Sequence, residues 1–398
     1  MRILQAHNRY QHGGGEDTVA RDEAIMLRRY GHQVTLLEQN NDQIRGLYGK
    51  LNAAVFTFYS GDSRRRMADK IKDERPDIVH IHNWFPMLSP SIISQADALQ
   101  VPVVQTLHNF RMICANGLLY RSGKVCTDCV GKSLPLDGIL HGCYRQSRAG
   151  SAIVTAAYAL HRRIGTWNKV DRFIAVSSYE REILIQGGMP ADKVVVKPNY
   201  VGLFAPSAGG GARDYALYAG RLSEEKGIGT LLSAWNSKAI PLRLKIAGDG
   251  PMKDKVLACS ADNSAIEYIG RLTSDAVYQE MSNARFLVFP SEWYETFGRT
   301  IVEAFAQGTP VLAADLGAAR ELVVDGVTGY LFSPGDAGAL VNGALRFFQP
   351  NYEQLRENCR GSYLRNYTEE SNYPLLMNIY AGAIDARKRR STGRGGRL

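Results

Sequence analysis

Three observations predict an α/β protein built from two parallel-sheet domains. The chain has 398 residues, enough for two separate hydrophobic cores. Short apolar runs such as Phe286-Leu287-Val288-Phe289 alternate with helical stretches along both halves, the rhythm of βα units whose strands are buried on both faces. Between the halves, Ser207 to Ala212 (Ser-Ala-Gly-Gly-Gly-Ala) has the composition of a flexible linker. The expected division is a first domain at 1–205 with a cysteine-bearing insertion at 114–143, a second at 213–370, a returning helix at 371–386 and a basic tail at 387–398.

In the first half, Arg2 to Ala6 is the first strand. The loop Gln11-His12-Gly13-Gly14-Gly15 follows, then a helix from Asp17 to Tyr30 that stops at Gly31. Glycines at that junction let a ligand approach the backbone closely, and Glu16 and Asp17 suit the helix start. Val34 to Leu37, Asp77 to His82 and Val101 to Leu107 are further strands, the last delivering His108 to the sheet's carboxyl edge. His80 and His82 lie within or at the end of a strand and read as structural. Arg145 to Trp167 is a long helix, Arg172 to Ser177 a strand, and Val194 to Lys197 ends at Pro198-Asn199.

The second half opens with strand Tyr215 to Ala219 and the loop Gly220 to Gly227, in which Arg221 and Lys226 can flank one diphosphate. Strands Leu242 to Ala247 and Ile266 to Ile269 follow, the latter leading into Gly270-Arg271-Leu272. The stretch around which the rest is arranged runs from Phe289 to Ala306. Pro290 ends the strand, and a helix begins near Gly298, where the backbone N–H groups of Phe297, Gly298 and Arg299 favour phosphate. Glu295 sits in the loop and Glu303 inside the helix, so both carboxylates can face the carboxyl edge of the sheet, where ligands bind in open α/β folds. Helices at Tyr352 to Arg365 and Tyr373 to Arg387 close the chain, the last crossing back to the first domain.

Glu295 and Glu303, with seven residues between them, resemble the signature of the family 4 retaining glycosyltransferases. Four motifs in the same order carry that resemblance over nearly the whole chain. It implies the GT-B architecture, two Rossmann-like domains facing across a cleft. It further implies that Glu295 holds the donor sugar and that Glu303 holds the ribose hydroxyls. Gly14 and Gly15 would lie against the donor phosphates, near the acceptor. His108 would contact the donor sugar, and Arg271 and Leu272 would receive the base. Phe297, Gly298, Arg299 and Thr300 complete the expected donor site, while Arg221 and Lys226 stabilise the leaving diphosphate. The reaction implied is front-face transfer of a hexosyl group from a nucleotide-sugar to a glycan or lipid-linked glycan, in bacterial polysaccharide assembly. No Asp-x-Asp triplet is present, and no cofactor is expected for catalysis. An epimerase or phosphorylase on the same fold, or a nonenzymatic nucleotide-sugar-binding protein, are the alternatives.

Composition bounds the rest. The chain is 45% hydrophobic and 22% charged, as in soluble globular proteins. No apolar run is long enough for a membrane span, and the start lacks a signal-peptide core, so a cytoplasmic location is expected. Net charge is +9, and the tail from Arg387 is basic and free of acids. It reads either as a solvated end or as a contact to an anionic membrane surface, and Arg148, Arg162 and Arg163 are further membrane candidates. No nucleic-acid partner is expected. Cys114, Cys126, Cys129 and Cys143 read either as a closed structural zinc site or as reduced or disulfide-linked thiols.

Overall fold

The computed structural model describes residues 1–10, 14–44, 46–202 and 213–394. The predicted linker and Gln11, His12 and Gly13 lie outside the described residues. The chain divides into two compact units. Unit 1 comprises Met1–Leu118, Thr127–Pro198 and Asn372–Leu398, and unit 2 comprises Leu119–Cys126 and Asn199–Ser371.

In unit 1, β1 (Arg2–Arg9), β2 (Gln33–Asn40), β3 (Ile78–Asn83) and β4 (Val103–Leu107) precede a small antiparallel hairpin, β5 (Tyr120–Arg121) and β6 (Lys124–Val125), which itself groups with unit 2. Then come β7 (Arg172–Ala175) and β8 (Val194–Val196). The six-stranded sheet has the order β2-β1-β3-β4-β7-β8, and every pair is parallel. Ile3, Leu4, Ile78, Val79, Ile81, Val103 and Val104 are fully or almost fully buried, which is why these strands read as continuous apolar runs. Strand order reverses between β1 and β3, so the carboxyl ends of these two strands flank a crevice.

Unit 2 holds β9 (Tyr215–Ala219), β10 (Arg243–Ala247), β11 (Ile266–Gly270), β12 (Phe286–Phe289), β13 (Val311–Ala314) and β14 (Gly329–Phe332). Their order, β11-β10-β9-β12-β13-β14, is again all parallel, with the reversal between β9 and β12. Trp235, Phe286 and Phe347 anchor the core, and the Phe286 and Phe347 rings stack at 4.3 Å. Burying each such ring contributes about 2–3 kcal/mol.

The tail is corrected by the structure. Helix Glu369–Arg394 runs through the positions assigned to a basic tail. Arg387 is buried, with Nη1 2.5 Å from Asp97 Oδ1 and Nη2 3.0 Å from Asp171 Oδ2, and Arg390 also pairs with Asp171. Two nearly buried carboxylates require cations, and these arginines extend the helix to supply them. Residues 114–143 are not one insertion either. Leu119–Cys126 belongs to unit 2, and helix Leu136–Leu140 packs on helix Arg148–Arg163 of unit 1. No helix among the described residues is long and apolar enough to cross a membrane.

Candidate active site

Most of the predicted residues follow the carboxyl ends of strands, and those after β1, β9 and β12 stand at the reversal points of the two sheets. In unit 2, the loops leaving β9 and β12 are adjacent because those strands are neighbours. Their contact is backbone to backbone: Glu292 N donates to Glu225 O at 2.9 Å. Gly227 has φ +71°, and a Cβ there would lie 1.8 Å from Pro290 O. Only glycine fits this position. The close approach brings Lys226 against Glu295, Nζ to Oε1 2.5 Å. Ser291 Oγ and Trp293 Nε1 donate to the same oxygen, each at 2.8 Å. Glu295 is buried, and its Oε2 accepts no hydrogen bond among the described residues. A carboxylate so placed is rigid and keeps one oxygen for a hydroxyl.

Helix Arg299–Ala306 follows, capped by Gly298 in the left-handed region at φ +90°. Its first N–H groups, those of Arg299 and Thr300, open it and create a partial positive charge. Glu303 lies one turn on, its Oε1 accepting from Arg299 Nε at 2.8 Å and from the Tyr278 hydroxyl at 3.4 Å. Phe297 is buried beneath. Arg221 is exposed, and its carbonyl accepts from the Tyr218 hydroxyl at 2.7 Å. Arg271 is exposed and Leu272 half-buried at the carboxyl end of β11. Unit 2 therefore carries Arg221, Lys226 and Glu295 in loops, and Glu303 on the helix that follows, at the carboxyl edge of one sheet.

Unit 1 places the other predicted residues. Helix Gly15–Arg29 starts after β1, with Gly14 at its cap and Gly14 N donating to Asp17 Oδ2 at 3.0 Å. Among the described residues, a Cβ on Gly14 or Gly15 would meet nothing within 4 Å, so none of them demands glycine there. His108 follows β4 and lines a cavity with Glu16, His82, Trp84, Arg111 and Tyr158. Sequence reasoning passed over several of these residues. Burial pushes the Glu16 carboxyl up to about 7 despite His7, Tyr10 and Arg111 nearby. Its position directly after three glycines was the available signal. Behind His108 stand His82 and Glu23, which no local pattern marks.

The cysteines divide between the units, Cys126 in unit 2 and the other three in unit 1. Burial, with Cys114 and Cys143 nearby, pushes the Cys129 thiol up to about 11. No three of these sulfurs lie within 4.8 Å of one another; the described group that meets this limit is Glu23, His80 and His82.

Comparison with known proteins agrees with this fold. Residues 13–203 match the model of Glycosyltransferase Family 4, and residues 206–361 match that of Glycosyl transferases group 1. An uncharacterized glycosyltransferase of Methanocaldococcus jannaschii is 34% identical over 289 residues, covering 72% of this chain and 69% of that protein. The chain belongs to the family 4 glycosyltransferases. Its fold is GT-B, shared with Anabaena HepE in complex with UDP (TM-score 0.67, 17% identity, 96% and 100% coverage). Sucrose-phosphate synthase from Thermosynechococcus elongatus is similar too (TM-score 0.72, 18% identity, 97% and 99% coverage). The chain spans under half the length of other curated relatives, 44% of a 2-deoxystreptamine N-acetyl-D-glucosaminyltransferase of Niallia circulans and 49% of a sulfoquinovosyl transferase of Arabidopsis thaliana.

Proposed function

We propose that this family 4 glycosyltransferase moves a hexosyl group, with retained anomeric configuration, from a nucleoside-diphosphate sugar to a glycan or lipid-linked glycan in bacterial surface polysaccharide synthesis. The observation that carries this reading is the Lys226–Glu295 pair beside the start of helix Arg299–Ala306. Glu295 Oε2 takes a sugar hydroxyl, Glu303 the ribose, and Lys226, Arg221 and the helix N–H groups the diphosphate. Anabaena HepE, of the same fold, has been seen with UDP and with UDP-glucose, which supports a donor of that class. The protein's share in catalysis is positioning and stabilisation of charge on the leaving diphosphate, whose oxygen accepts the acceptor's proton.

A panel of nucleotide-sugars, each tested with and without added glycan, tests the proposal. Nucleotide release that rises with acceptor, together with a product of unchanged anomeric configuration, supports it. Tight donor binding without any turnover would favour a nonenzymatic binder. Catalysis is proposed to need no divalent ion, so transfer should persist in chelator.

Two further parts of the proposal stand apart from the chemistry. A structural zinc on Cys114, Cys126, Cys129 and Cys143 rests on their spacing alone. About one zinc per chain, lost in Cys126→Ser, supports it; metal-free, reduced, active protein refutes it. Peripheral contact with the inner face of a membrane now rests on unit 1 instead of the tail. There Leu140, Leu160 and Ile164 are exposed, as are Arg148 and Arg163; Arg148 Nε donates to the Leu140 carbonyl, and Arg162 donates to the carbonyls of Lys132 and Gly187. Salt-sensitive sedimentation with anionic vesicles, reduced in Leu140→Ser/Ile164→Ser, tests that contact.

A further inference from the structure

A row of four ionisable side chains runs through the core of unit 1 to His108. Glu23, on helix Gly15–Arg29, is almost wholly buried. Its Oε1 lies 2.9 Å from His80 Nδ1 and 3.1 Å from His82 Nε2, and its Oε2 lies 3.2 Å from Lys197 Nζ. His82 Nδ1 in turn lies 3.2 Å from His108 Nε2, with the two rings stacked 5.5 Å apart. The Glu23–His80–His82 group has the spacing of a metal site, but its chemistry is different. The ammonium of Lys197 already holds one carboxylate oxygen, and both His80 nitrogens are engaged, Nδ1 with the Tyr380 hydroxyl and Nε2 with that of Thr106, each at 2.8 Å. A cation placed there would meet a fixed positive charge with no water to screen it.

We propose that Glu23 is a positioning residue for His108, acting through His82 to fix the plane and the tautomer of the His108 ring. A buried carboxylate takes the hydrogen of the imidazole nitrogen that faces it, because a charge-assisted hydrogen bond is about twice as strong as a neutral one. His82 therefore carries its proton on Nε2 and presents a bare Nδ1. That nitrogen can only accept, so His108 carries its proton on Nε2 and donates it to His82. The neighbouring ring thus sets which nitrogen of His108 bears the proton, the relation by which a second group orients a ligand or base from behind. Burial and the adjacent histidines hold His82 down at about 4 and His108 well below the ordinary histidine range, so both rings are neutral at pH 7. The competing donor is Gln5, whose Nε2 lies 2.8 Å from His82 Nε2 and 3.0 Å from Ala20 O. Were Gln5 to supply the proton, His82 would donate to His108, and His108 would be the Nδ1–H tautomer.

The inference rests on the reading of His108 as a residue at the donor sugar, and its test is separable from that reading. Nitrogen-15 NMR of histidine-labelled protein at pH 7 reports the His108 tautomer without any assay. The Nε2–H form is expected in the wild type, and the Nδ1–H form overturns the proposal. Glu23→Gln paired with Lys197→Met removes both buried charges together and preserves the fold better than Glu23→Gln alone. In the double variant the tautomer should become mixed. The kcat should fall about ten- to hundredfold with donor KM within about twofold, the loss typical of a removed orienting partner. An unchanged tautomer and kcat refute the relay, whereas an unchanged kcat in His108→Ala refutes the role of His108 and leaves the tautomer result standing.

Discussion

Lys226 Nζ lies 2.5 Å from Glu295 Oε1, and the same ammonium stands 5.1 Å from the centre of the Trp293 ring. The two residues are 69 positions apart. They meet because β9 and β12 are neighbours and because Gly227 lets one loop touch the other. In the proposed reaction this contact joins the group that binds the sugar to the group that faces the diphosphate. A defect in either is therefore felt by both.

Lys226→Ala should lose about 2 kcal/mol of transition-state stabilisation, roughly a thirtyfold drop in kcat/KM, as for a lost charged contact at a leaving group. Glu295→Gln should lower turnover more than donor affinity. Because the residues touch, the double variant should lose less than the sum of the single losses. Strict additivity in steady-state kinetics would show that the pair does not act together.

Gly227→Ala places a methyl group within bonding distance of Pro290 O, at a backbone angle that alanine resists. The strained angle alone costs about 1–3 kcal/mol, and the overlap forces the two loops apart. Thermal unfolding should shift downward and donor affinity should fall together. Wild-type affinity in this variant would mean that loop contact does not shape the donor site.

Arg387→Ala removes the guanidinium that bonds both Asp97 and buried Asp171, leaving Arg390 as the remaining cation beside them. Losing these charged hydrogen bonds costs about 1.5–3 kcal/mol, whereas removing Arg390 as well leaves the carboxylates uncompensated and costs about 3–5 kcal/mol. Lys388→Ala, one residue on and largely exposed, should change stability by no more than about 0.5 kcal/mol. Denaturant titration of the two variants separates the structural helix found here from a merely solvated tail.

Glu16 supplies the pH test. Its carboxyl is raised to about 7 from an ordinary 4.5, chiefly by burial. A raised acid favours the folded state fully below its unfolded pKa, and that contribution is lost as pH climbs from 4.5 to about 7. Glu16→Gln should therefore match the wild type near pH 4 and exceed it by about 2 kcal/mol above neutrality. An equal difference between the two proteins at both pH values would show that the Glu16 carboxyl titrates in its ordinary range.

How much of this could be read along the chain follows from the range of each signal. Apolar runs bounded by glycine and proline mark strands because burial on both faces acts residue by residue. Ten of the twelve sheet strands, the two sheet-forming halves, the loops carrying Arg221, Lys226 and Glu295 and the helix carrying Glu303 follow from such local patterns. Gly298 likewise announces its helix, since the cap needs a left-handed backbone. The tail was misread for the same reason. Locally, Arg387 and Arg390 belong to a basic run with only Asp385 nearby, and Asp97 and Asp171 lie more than two hundred residues away.

Long-range contact decided everything else. Lys226 against Glu295, the splitting of residues 114–143 between units, and the row from Glu23 through His82 to His108 all join segments distant in sequence. Removing charges from water makes each partner necessary, and chain folding alone chooses which partner it is. Composition and periodicity were sufficient for architecture because hydrophobic burial is non-directional and sums over many residues. They were silent on the ion pairs and hydrogen bonds of the site, whose strength depends on angstrom distances that arise only when the two sheets have formed.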